Sequence, residues 1–125
     1  MSMNKHDVTT ALATISYEIE SKSYVLSQEN WQRSVFLQVE KDANMVGIHF
    51  KLNESGLLED WYVDLKHLLT HLLMEGDVRS FLYRIDVSEK KIQQIQNLSI
   101  DDLCMLVLER EFKKVCIRKH FSENS

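Results

Sequence analysis

The chain has no proline in 125 residues and only three glycines. Proline is the residue that most reliably stops a helix, because it lacks an amide donor and clashes with the preceding turn. Without it, helices are free to run until a glycine or a capping residue ends them. Helix is therefore the default for this sequence, and any strand has to be argued against that default. Hydrophobic residues make up 44% and charged residues 27%, enough apolar material for a packed core and too much for a wholly disordered chain. We expect one all-α domain over residues 1–125, a compact bundle of five or six helices around a buried C-terminal helix.

The hydrophobic spacing supplies the individual helices. Val8, Leu12, Ile15 and Ile19 fall on a narrow arc, with Asp7 placed to cap, predicting a helix from about Asp7 to Leu26. Leu57, Trp61, Leu65, Leu68, Leu69 and Leu72 share a broad face, predicting a strong helix that Gly76 ends and after which Asp77 caps the next. Val78, Phe81, Leu82 and Ile85 give a shorter helix, and Ser88 caps another with Ile92 and Ile95 inward. Ser99 starts the last helix, with Asp101 and Asp102 favourable in its first turn. Leu103 and Met105 to Leu108 cover nearly every direction of the wheel, which predicts burial on several sides.

Residues 29–52 read two ways. Trp31, Val35 and Val39 make a helical stripe. Val35, Leu37 and Val39 also alternate, as do Val46, Ile48, Phe50 and Leu52, with Lys41-Asp42-Ala43-Asn44 between them as a four-residue loop. The preferred reading is helix over 29–42 and extended chain over 45–52. The alternative is an α+β fold with a hairpin near 34–52, in which Gly47, His49 and Lys51 face water.

Net charge is −4 and unevenly spread: five basic against ten acidic residues in 1–64, and ten against nine in 65–125. An acidic chain is poorly suited to sequence-independent nucleic-acid binding, which depends on neutralising phosphates. The two cysteines, Cys104 and Cys116, lie on one predicted helix. They are then ~18 Å apart at the helical rise, too far for a disulfide. Free cysteines, a polar stretch from Met1 to Thr10 and the absence of a membrane-length apolar run together lead us to expect a cytoplasmic protein with no membrane partner.

Three groups of residues are candidates for a site. His67 and His71 sit four apart on one helix face and could share a metal. Asp60, Asp64 and Glu75 follow the same stripe, but the glutamate of the zinc-protease motif is absent, since Leu68 follows His67. The plainer reading is a solvated stripe with Asp64 supporting an imidazole. Arg110, Lys113, Lys114 and Arg118 form a basic run, with Phe112 or Phe121 available to stack on a base. Glu109 and Glu111 interrupt it, and Glu109–Lys113 reads as an ordinary helix pair. Tyr62, Val63 and Met74 lie off the main apolar face of their helix and mark a candidate interaction surface. Neither cysteine is read as a nucleophile, and no phosphate loop or nucleophile elbow is present.

The stretch Phe81-Leu82-Tyr83-Arg84-Ile85-Asp86-Val87-Ser88-Glu89, with Leu108-Glu109-Arg110-Glu111-Phe112-Lys113-Lys114-Val115 and Arg118, resembles a group of small bacterial helical proteins. Those proteins share a leucine-rich helix, a turn of this wording and a final helix with the ERE…K…R pattern. The resemblance covers about residues 57–121. It implies a helical fold and assigns no activity. On the residues alone, Arg84 and Asp86 are placed to pair with Arg110, Glu109 or Glu111 across helices, fixing register. The functional expectation is a small non-enzymatic interaction module without a cofactor, binding a protein partner or itself. Its alternatives are a metal-binding protein using His67 and His71, and nucleic-acid contact through the C-terminal basic face.

Overall fold

The structure is a computed structural model and describes residues 28–123. The predicted N-terminal helix over Asp7–Leu26 lies outside these residues. Five α-helices and one 3-10 turn follow in order: α1 (Gln28–Met45), α2 (Leu58–Glu75), α3 (Val78–Arg84), α4 (Glu89–Ile92), the turn Ile95–Asn97, and α5 (Ile100–Glu123). No strand occurs among the described residues, and the fold is all-α as expected.

α5 is the element on which the others are laid. Leu103, Cys104, Val107, Leu108, Phe112 and Cys116 are buried along it at helical spacing. Its most extensive packing is against α1, then against α2. α1 answers with Val35, Phe36, Val39 and Ala43, and α2 with Tyr62, Leu65, Leu69 and Leu72. Phe36 and Trp61 meet edge to face at 5.9 Å, and the Arg33 guanidinium lies 5.6 Å from the Trp61 ring centre, so α1 and α2 are also joined directly. Met105 and Leu106 are only partly buried, so α5 is less fully enclosed than its apolar wheel suggested.

The hairpin alternative is overturned by a glycine. Gly47 sits at φ 82°, donates to the Asn44 carbonyl at 3.1 Å, and lets Ile48 donate to the Ala43 carbonyl at 2.9 Å. That pair of bonds is a Schellman ending. The predicted loop residues Asp42 and Ala43 are therefore buried on a helix. Beyond it the alternation is real: Phe50 and Leu52 point inward, His49 and Lys51 outward. The segment pairs with side chains in place of a second strand. Asn44 Nδ2 donates to the Phe50 carbonyl (2.9 Å), and the Leu52 amide donates to Glu40 Oε2 (2.9 Å). The Asn53 amide donates to Asp64 Oδ2 (2.8 Å), and Trp61 Nε1 donates to the Asn53 carbonyl (2.8 Å). Side chains of α1 and α2 thus satisfy polar groups that a sheet would otherwise serve.

Caps follow the sequence in part. Ser88 accepts from the Lys91 amide and Ser99 from the Asp102 amide, as read. Asp77 stands at the start of α3 but makes no side-chain cap bond. Leu57, expected on the apolar face of α2, stands just outside the helix and is half exposed, while Ser55 Oγ receives its amide.

The left-handed residues that follow α2 and α3 differ in fitness for that conformation. Gly76 ends α2 at φ 80°, and a Cβ built on it meets nothing within 4 Å. Asp86 follows α3 at φ 64°, the one non-glycine at positive φ among the described residues. Gly76→Ala is expected to destabilise the protein by about 1 kcal/mol through the backbone alone, since no steric contact is added. Asp86→Gly is expected to stabilise it by up to about 1 kcal/mol. Urea denaturation of the two variants against wild type reads both signs.

Candidate functional site

An open cleft of about 550 Å³ lies where the extended segment passes α2. Ile48, Phe50, Leu68 and Leu72 give it apolar walls, while His49, Lys51, Asp64, His67, His71 and Asp77 bring polar groups to it. Its volume is that of a small-molecule site, but its lining is more polar than the mostly apolar walls such sites usually have. His67 and His71 both line this cleft from α2, and a third imidazole, His49, lines it from the extended segment. Among the described residues, however, no three His, Cys, Asp or Glu side chains converge closely enough to hold a metal ion. Asp64 engages the Asn53 backbone through Oδ2, a role different from the imidazole support expected of it.

The predicted interaction surface divides. Val63 (45% exposed) and Met74 (81%) stand in the open on α2. Tyr62 does not belong with them: at 2% exposure it faces the core. On the wheel it sits at the margin of the apolar arc, and the margin is buried because α5 covers it. Its hydroxyl donates to Asp101 Oδ1 at 2.8 Å, and Lys66 Nζ reaches the same oxygen at 3.3 Å. Burial, with Cys104 and Asp101 nearby, raises the Tyr62 phenol above its ordinary range.

The predicted basic face is largely spent within the molecule. Arg110 Nε donates to the Ile85 carbonyl at 2.8 Å, with NH2 3.8 Å from Asp86, so one of the expected cross-helix pairs is present. Lys113 holds Glu109 at 3.0 Å, as read. Lys114 turns inward to Asp42 at 2.7 Å, and Arg118 NH1 donates to Gln38 Oε1 at 2.8 Å. Arg84 goes to Asp42, at 3.8 Å, and not to the acids of α5 that the sequence offered it. What the structure presents as a unit is this buried cluster between α1 and α5, with Asp42 and Glu111 as its carboxyls. Burial raises Asp42, but Glu111, Lys114 and Gln38 outweigh it and hold the carboxyl below its ordinary 3.8. Sequence reasoning missed Asp42 and Glu111 because a local pattern places acids at the surface. The Lys114–Asp42 contact spans 72 residues.

Both cysteines are buried thiols outside any disulfide. Burial pushes the Cys104 thiol up to about 12, with Asp101 adding to it against the opposing pull of Tyr62 and Lys66. A thiol in that state carries almost no thiolate at neutral pH. Native protein is expected to resist iodoacetamide at both positions and to take up two labels only when unfolded, as intact mass reads directly. Comparison of the chain with protein-family models, with curated proteins and with solved structures finds no match.

Proposed function

We propose that this protein is a non-catalytic interaction module that binds protein, a second copy of itself in the first instance, across the outer side of α2. The exposure of Met74, at 81%, carries this reading. Val63 lies eleven residues earlier, three helical turns away on the same side and ~16 Å distant. Thr70 and His67 lie between them, and His67 also lines the cleft. An unbranched thioether adapts to a partner's surface with little penalty. Apolar anchors bordered by polar groups have the makeup of a protein interface.

The alternatives have less behind them. Metal binding by His67 and His71 needs a third ligand that the described residues do not bring within reach. Nucleic-acid contact needs uncommitted cations, whereas Arg110, Lys113, Lys114 and Arg118 each have a partner in the fold. No helix among the described residues is long and apolar enough to cross a membrane.

Size-exclusion chromatography with light scattering, from micromolar to submillimolar protein, tests the reading. The wild-type mass is expected to rise with concentration. A Val63→Lys, Met74→Lys double variant is expected to stay monomeric with unchanged far-UV circular dichroism. A photo-crosslinker at position 74 identifies a different protein partner if the chain does not self-associate. A monomer at every concentration that also yields no adduct in cells removes the proposal.

A further inference from the structure

We propose that Glu111 is a proton-operated latch between α1 and α5: protonated, it lets the two helices seat together, and loss of the proton loosens them.

The geometry comes first. Glu111 projects from the middle of α5 and is 0% exposed. Among the described residues neither of its oxygens has a hydrogen-bond partner. An ionised carboxylate there would stand out of reach of bulk solvent and beside a second buried carboxyl, Asp42 of α1. One ammonium lies between the two and is not shared evenly. Lys114 Nζ is 2.7 Å from Asp42 Oδ2 but 3.6 Å from Glu111 Oε1. The remaining charged neighbours also serve the Asp42 side. Arg84 approaches from α3, 3.8 Å from Asp42 Oδ1. Gln38 of α1 donates to the same oxygen at 3.1 Å and is itself held by Arg118 of α5. With Glu111 neutral, Asp42 and Lys114 balance each other. With Glu111 ionised, an extra charge lies in the packed interface, and separating the helices to admit water is the simplest relief.

The chemistry agrees in direction. Burial, and after it the Asp42 carboxyl, push Glu111 up to about 8 from its ordinary 4.5, while Lys114 pulls the other way. Between those two values the folded protein holds a proton that the unfolded chain has released. The contribution of Glu111 is therefore fully present below about 4.5 and is lost as pH rises through about 8. Neutral pH lies on that slope. The latch is therefore sensitive to proton activity over the range in which cells vary it.

Native-state hydrogen exchange of the α1 and α5 amides, corrected for intrinsic exchange and followed from mildly acidic to alkaline pH, tests the proposal. In wild type the opening equilibrium is expected to grow by up to about tenfold per pH unit and to level off once Glu111 is ionised. In Glu111→Gln, which keeps the shape and cannot ionise, it is expected to stay level. A second readout starts from the wild-type protein: carbon-13 NMR of the glutamate carboxyls. One glutamate is expected to titrate near 8, far from its ordinary 4.5, and Asp42→Asn is expected to bring it down. A Glu111 carbon that titrates with the other glutamates overturns the latch. So does a Glu111→Gln variant that keeps the wild-type pH dependence.

Discussion

The seating of α1 on α5 determines the arrangement of the rest of the molecule. Apolar burial brings the two helices together, but it is non-directional and would tolerate sliding. The Asp42–Lys114 contact would not, because moving either residue by a turn leaves a charge buried without its partner. Breaking such a pair costs about 3–5 kcal/mol, far more than the pair contributes over a well-packed apolar substitute. Its effect is on register, and register decides what else meets. Gln38 reaches Arg118 one turn from the Asp42 contact, and Arg84 brings α3 to the same point.

α1 also holds the wall of the cleft. Glu40 and Asn44 lie within a turn of Asp42 and point to the extended segment, binding it at Leu52 and Phe50. Asp64 and Trp61 of α2 hold the same segment at Asn53. It is extended because its alternate residues, Phe50 and Leu52, are buried while its polar backbone is met by these side chains. His49 thereby lines the cleft with His67 and His71, and the cleft is the space left between the anchored segment and α2.

Much of the helical scaffold was legible in the sequence. Six apolar residues of α2 repeat at helical spacing, and five of them are in the core; Leu57 fails only because it precedes the helix. Gly76, Ser88 and Ser99 act as the boundaries they resemble. Residues 45–52 could not be settled from period alone. Alternation reports which side chains are buried and does not say whether the backbone pairs with a strand or with side chains. Gly47 was the deciding residue, and its left-handed role at a helix end looks the same in sequence as a glycine on a strand. The site was less legible. His67 and His71 could be placed on one face, but His49 joins them only through tertiary structure. Tyr62 illustrates the margin of an apolar arc: whether it is surface or core depends on how widely the neighbouring helix overlaps it. Glu111 and Lys114 read as solvated because charged residues nearly always are.

Of the features that sequence could not supply, the buried Asp42 carboxyl lies on α1 and His49 lies on the segment that α1 holds. α1 turns Asp42 towards α5 and, within a turn of it, turns Glu40 and Asn44 towards the cleft wall. Because α1 is hydrogen-bonded to Phe50 and Leu52 at 2.9 Å each, a displacement of α1 from α5 must either carry the wall with it or break those bonds. Apolar packing alone would tolerate some slip between the two ends, whereas a hydrogen bond weakens steeply as its geometry departs from ideal. A displacement of α1 in response to a charge buried against α5 would therefore reach the extended segment through these two bonds.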